Sequence, residues 1–214
     1  MNPKQIAQLI TEAKKVAPKR KFSQTIDLIV ALKDLDMKDS EQHVDFYVQL
    51  HHDRGKPVKM AALVGPELQA KADGVFDTVI VEKDFGNLKD KLKLMATENA
   101  YFIAQANLMP KVAQHFGRVL GPRGKMPNPK AGCIVNLKTD LKALYAKLQK
   151  TVRISVKVQP QLQLAVGNEA MDEKIIIDNI HTIYDQLVHH LPKGENNVNK
   201  VYVKLTMGPP VEVK

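Results

Sequence analysis

The sequence predicts a two-domain protein of mixed α/β and α+β class, in which an α+β domain built from both chain ends carries an inserted α/β domain. Three observations lead there. The two ends share one hydrophobic rhythm, the middle follows another, and neither end alone offers enough elements to bury a core. With 214 residues, 44% of them apolar, the chain is long enough for one large or two small domains.

In order, Ile6, Leu9, Ile10, Ala13 and Val16 fall on one face of a helix over 3–16. Residues 25–32 are rich in β-branched and aliphatic types, and 43–50 alternate, so both read as strands. The polar stretch His51-His52-Asp53-Arg54-Gly55-Lys56-Pro57 reads as a linker. A strand–helix rhythm follows: strand 58–64, a helix from Gly65-Pro66 through Ala72, strand 78–81, helix 88–97, strand 101–104 and helix 108–116. Strands alternating with helices predict parallel β-α units. Leu137, Leu141, Leu144 and Leu148 then repeat at helical spacing over 136–150. Beyond Thr151 the first pattern returns, with strands 152–158 and 161–166 forming a hairpin around Gln159-Pro160. An amphipathic helix over 172–191 turns Ile176, Ile180, Ile183, Leu187 and Leu191 inward. After a turn at 193–197, Val201, Val203 and Leu205 alternate in a closing strand. The expected domains are 1–52 plus 153–214, and 53–152, joined by two connections that make a hinge.

Composition narrows the chemistry. A single cysteine, Cys133, forms no internal disulfide and no multi-thiolate metal site, which fits a reducing cytoplasm. The adjacent pairs His51-His52 and His189-His190 point different ways and are poor chelates, so no metal is expected. No apolar run is long enough to span a bilayer, and the amino end lacks the apolar segment of a signal peptide. The net charge of +9 suits a polyanion. It is uneven: 53–152 hold 17 Lys+Arg against 9 Asp+Glu, a net +8, and the outer segments hold 15 against 14, a net +1. Electrostatics alone would make the insert the nucleic-acid binder.

Three stretches stand out. Residues 117–130, Gly-Arg-Val-Leu-Gly-Pro-Arg-Gly-Lys-Met-Pro-Asn-Pro-Lys, form a Gly/Pro-rich loop whose Arg118, Arg123, Lys125 and Lys130 suit phosphate oxygens. It is not a nucleotide P-loop, because Val119 and Met126 stand where that motif needs Gly and Ser or Thr. Thr206-Met207-Gly208-Pro209-Pro210 offers a hydroxyl, an adaptable apolar side chain and close backbone approach, or simply a strand end. Lys19-Arg20-Lys21-Phe22-Ser23-Gln24-Thr25 places cations beside a ring that could stack on RNA or enter the core. Asp34, Asp36 and Asp39 read as a solvated loop. There is no Gly-x-Ser-x-Gly, no His-Glu-x-x-His and no Gly-x-Gly-x-x-Gly, so neither an enzyme nor a cofactor is expected.

The insertion pattern, residues 120–130 and the terminal Val201-Tyr202-Val203-Lys204-Leu205-Thr206-Met207-Gly208-Pro209 together resemble the ribosomal protein L1 family over essentially the whole chain. Residues 27–36 resemble its archaeal form. The resemblance implies a ferredoxin-like split α+β domain and an inserted three-layer, Rossmann-like α/β domain. It implies a cytoplasmic constituent of the large ribosomal subunit, monomeric when free, that binds the rRNA of the mobile stalk near the tRNA exit site. It further implies help in releasing exit-site tRNA and repression of translation through the protein's own mRNA. Carried over by motif, the RNA-binding residues are Lys21, Phe22, Thr25, Asp27, Thr206, Met207 and Gly208, on the nearly neutral domain; this overrides the charge argument. Arg118, Arg123, Lys125 and Lys130 become secondary RNA contacts, and loss of Lys125 is expected mainly to reduce salt dependence. Lys200 and Leu205 depart from the family pattern, which commonly has a small residue and a threonine there. Two rivals stand beside this reading: a hinged small-molecule-binding protein, and an enzyme using the insert.

Overall fold

The computed structural model describes residues 1–39, 42–88 and 91–212. Two compact units emerge, Met1–Lys56 with Lys150–Lys214, and Pro57–Gln149. The chain crosses between them at 56/57 and 149/150, rather than at the expected 52/53 and 152/153.

The first unit begins with α1 (Pro3–Val16). Its start is written locally: Asn2 accepts from the Lys4 amide, Gln5 reaches back to the Asn2 amide, and Pro3 opens the helix. Strand β1 (Thr25–Leu32) alternates half-buried and buried residues without a break. Further along come β2 (Val44–Gln49), β7 (Thr151–Val156), β8 (Gln161–Asn168), α6 (Glu173–His190), β9 (Val198–Leu205) and β10 (Val211–Glu212). The main sheet has the order β10-β9-β1-β8, and β2 pairs with β7. The two strands joined at Gln159-Pro160 thus lie in different sheets, and the expected hairpin is replaced by pairing with strands distant in sequence. Because β8 and β9 are both antiparallel to β1, they run parallel to each other and need a crossover, which α6 supplies. This is the split β-α-β of a ferredoxin-like domain. Ile6, Leu9, Ile10 and Ala13 of α1, with Ile176, Ile180, Ile183 and Leu187 of α6, bury against Ile26, Leu28, Val30, Val201 and Val203. That leaves Thr25, Asp27, Ile29, Lys200, Tyr202 and Lys204 on the opposite sheet face, away from α1 and α6.

The second unit contains β3 (Met60–Val64), α2 (Pro66–Ala72), β4 (Thr78–Val81), α3 (Leu92–Glu98), β5 (Tyr101–Gln105), α4 (Met109–Leu120), β6 (Ile134–Val135) and α5 (Leu141–Gln149). Its sheet is all parallel, ordered β4-β3-β5-β6. A strand buried on both faces reads as a continuous apolar run, and Met60–Val64 is buried throughout. One layer joins Leu92, Ala96, Val112 and Phe116 to Ala61, Leu63, Phe102 and Ala104. The buried Leu68, Ala72, Leu141, Leu144 and Leu148 lie outside that cluster and supply the other layer. The unit is therefore a three-layer, Rossmann-like sandwich.

Some expectations are corrected. Val16 is 55% exposed rather than inward, because α1 ends there and the chain extends at Ala17. Leu137 precedes α5 and is exposed. The helix expected over 88–97 begins at Leu92, while Lys89 and Asp90 lie outside the described residues.

Candidate nucleic-acid interface

The expected RNA-binding residues of the first unit come from chain positions about 180 apart, and the backbone joins them. The β1–β9 ladder pairs Ile26 with Leu205 and Asp27 with Lys204. Just past it, the Thr206 amide donates to the Thr25 carbonyl at 3.0 Å. The Thr206 hydroxyl accepts from the Thr25 amide at 3.1 Å and lies 3.2 Å from the Thr25 carbonyl. Thr25 and Thr206 thus lock the start of one strand to the end of another.

A residue that sequence reasoning missed organises this corner. Gln24 is 1% exposed, between exposed Ser23 and half-buried Thr25. Its side chain accepts from the Met207 amide at 3.1 Å and donates to the Pro18 carbonyl at 3.0 Å. Its carbonyl accepts from the Glu169 amide at 2.9 Å. One buried side chain thereby fixes the basic turn to the Thr206-Met207 turn, and its backbone ties both to the end of β8. Nothing in the local sequence marks a glutamine as buried.

With polar groups turned inward, apolar ones face out. Phe22 is 55% exposed and Met207 51%, and Val16 adds a third exposed apolar side chain at the end of α1. A core position for Phe22 is thus excluded. Gly208 sits where a Cβ would lie 3.0 Å from the Cβ of Ala17, so the turn closes tightly on the end of α1. Lys21 is exposed on the turn before β1. Burial raises the pKa of the Asp27 carboxyl, and the facing Lys204 draws it back down. Lys200 is held by Glu212 of β10 at 2.8 Å, which raises its pKa and gives this departure from the family pattern a local partner. Exposed rings and thioethers beside cations and hydroxyls suit sugar, base and phosphate together.

The four cations of the insert divide. Arg118 and Lys130 are exposed. Lys125 is half-buried and donates to the carbonyls of Ala96 and Asn99, at 2.7 and 2.8 Å, across the end of α3. Burial lowers its pKa, with Arg123 adding to the effect. Arg123 donates to the Lys93 carbonyl at 2.8 Å and to the Thr97 hydroxyl at 3.3 Å. Loop charges expected to meet RNA thus serve first as a helix cap.

In open parallel sheets, ligands bind where the strand order reverses, at the carboxyl ends of the strands. Here that point lies between β3 and β5, and Gln105 fills it, accepting from the Gly65 amide at 3.0 Å. Among the described residues, no three His, Cys, Asp or Glu side chains could hold a metal ion.

Known proteins resemble this chain along nearly its whole length. A family model described as the ribosomal protein L1p/L10e family matches residues 12–209. A protein of Methanocaldococcus jannaschii named large ribosomal subunit protein uL1 is 38% identical over the whole chain and 97% of its own length. Its namesake from Nanoarchaeum equitans is 41% identical over 91% of this chain and 93% of its own. That from Methanothermococcus thermolithotrophicus is 37% identical over the full length of both. The chain belongs to the ribosomal protein L1p/L10e family, in its archaeal form, and is not an enzyme.

Proposed function

We propose that this protein is a structural constituent of the large ribosomal subunit and binds the rRNA of the mobile stalk, near the tRNA exit site, through the corner of its first unit. The observation that carries the reading is the joining of Thr25, Thr206 and Met207 through Gln24, with Phe22 and Met207 left exposed around them. Family membership and the relatives' shared name support the ribosomal setting.

Recognition is by shape. Lys21 meets phosphate, Phe22 and Met207 pack on sugar or base, and the Thr206 hydroxyl and backbone supply directed hydrogen bonds. Asp27 accepts from RNA hydroxyl or base donors. Arg118, Arg123 and Lys130 add secondary contacts to rRNA or to exit-site tRNA, whose release the protein aids. A similar RNA structure in the protein's own mRNA would be bound by the same corner, repressing translation. The free protein is a cytoplasmic monomer.

The test is binding of the purified chain to a large-subunit rRNA stalk fragment across a salt series. Nanomolar binding at physiological salt that excess tRNA cannot displace is the expected result. Weak binding that collapses with salt and is shared by any RNA would overturn the reading.

A further inference from the structure

We infer that the turn formed by residues 168–171 couples RNA binding at the corner to the first connection leading out of this unit, residues 52–56. The inference rests on reading the corner as the RNA site.

Asn168 has two neighbours of different kinds. On one side, its Oδ1 accepts from the Ser23 hydroxyl, and its backbone is the β1–β8 partner of Thr25. The next residue, Glu169, exchanges hydrogen bonds with the backbone of Gln24. On the other side lies Gly55, whose φ of +74° suits glycine. A Cβ at Gly55 would stand 2.5 Å from the Met171 sulfur and 2.9 Å from the Asn168 Cβ. The methionine could swing away, but the Asn168 Cβ is one bond from the backbone and could move only with the turn.

The connection is also tied down just before Gly55. Asn179, buried beneath the turn, donates to the Val166 carbonyl at 3.0 Å and lies 3.5 Å from the Asp53 carbonyl. His52 lies 3.5 Å from the Asp178 carboxylate. The Lys150 ammonium donates to the His51 carbonyl at 3.1 Å, holding the return crossing beside the outgoing one. A shift of residues 52–55 toward residues 168–171 therefore presses on the turn that seats Ser23, Gln24 and Thr25. RNA that fixes the corner restrains the connection, and by linkage a displaced connection weakens RNA binding.

The experiment is a double-mutant cycle in the full-length chain, read by affinity for the stalk fragment. Gly55→Ala should bind about tenfold more weakly, although residue 55 is not among the proposed RNA contacts. In an Asn168→Gly background, where the obstructing Cβ is gone, the same substitution should change affinity by less than about twofold. An equal loss in both backgrounds, or no loss in a folded Gly55→Ala protein, would overturn the coupling. Should Gly55→Ala fail to fold, hydrogen exchange in the wild-type protein decides. Saturating RNA should slow exchange at the Arg54, Gly55 and Lys56 amides severalfold, and this slowing should vanish in Asn168→Gly, which removes the contacting Cβ, saturated with the same RNA. Slowing that persists in that variant would mean RNA covers the connection directly, and would also overturn the coupling. Failure of the wild-type chain to bind the fragment at all is a separate result, which removes the RNA reading and the coupling with it.

Discussion

At the scale of single residues, the corner separates what RNA would touch from what holds the touching groups in place. Met207→Ala should reduce stalk-fragment affinity about tenfold with an unchanged unfolding midpoint, because the side chain is half exposed and buries little on folding. Thr206→Ala should weaken binding as well, but at a cost of about 1 kcal/mol in stability, since its hydroxyl satisfies the Thr25 amide. Wild-type affinity in both would remove these residues from the site. Gln24→Ala should behave differently. It strands the Met207 amide and the Pro18 carbonyl, costing about 1–3 kcal/mol in denaturant unfolding, and it loosens the corner, so affinity falls although every group proposed to touch RNA is still present. The contrast also marks what the sequence could tell. Thr206-Met207-Gly208 stood out as a motif and Phe22 as a ring among cations. The burial of Gln24 depends on three chain segments converging, which no local pattern encodes.

At the scale of elements, strong periodicity was legible and short pairings were not. Helices 3–16 and 66–72 and strands 25–32 and 78–81 have the bounds their patterns predict, because a buried face imposes its period on the side chains. Strands β6 and β10 have two residues each, too few for any period, and they exist because a neighbouring edge pairs with them. The loop after α4 was legible as rigid and basic, but not the fate of its charges. Lys125→Met should lower the stability of the insert by about 1–2 kcal/mol in thermal unfolding, through loss of its two bonds at the end of α3. It should leave the salt dependence of RNA binding unchanged, contrary to the expectation from sequence. The β2–β7 pair supplies a pH-dependent counterpart. Arg153 bonds Asp45 through two nitrogens, each at 2.8 Å, and Lys157 lies 2.5 Å away; these cations hold the carboxyl at about 2, below its ordinary 3.8. A depressed carboxyl stabilises the fold above its unfolded pKa, and that contribution is lost as pH falls through the folded value. Asp45→Asn should therefore cost about 1–2 kcal/mol at pH 7, a gap that closes between about pH 4 and pH 2 in unfolding titrations.

At the scale of the whole molecule, charge and proposed recognition reside in different units. With the boundaries of the structure, residues 57–149 hold 14 Lys+Arg against 8 Asp+Glu, a net +6, and the remainder holds 18 against 15, a net +3. Taken alone, that asymmetry points to the insert, whereas the stretches at residues 19–25 and 206–210 and the family resemblance pointed the other way. Physically the two are compatible. Charge governs non-specific association and its salt slope, whereas shape complementarity at the corner governs preference for one RNA. Replacing the exposed Arg118 and Lys130 together by Gln tests the division, because neither is tied up at the end of α3 as Lys125 and Arg123 are. Binding to unrelated tRNA should weaken, and its slope of log affinity against log salt should become shallower by about one to two, roughly one for each phosphate no longer neutralised. Affinity for the stalk fragment at physiological salt should stay within about twofold. If stalk-fragment affinity instead fell in parallel with tRNA affinity, the insert would be part of the specific site, and the corner would no longer account for recognition by itself.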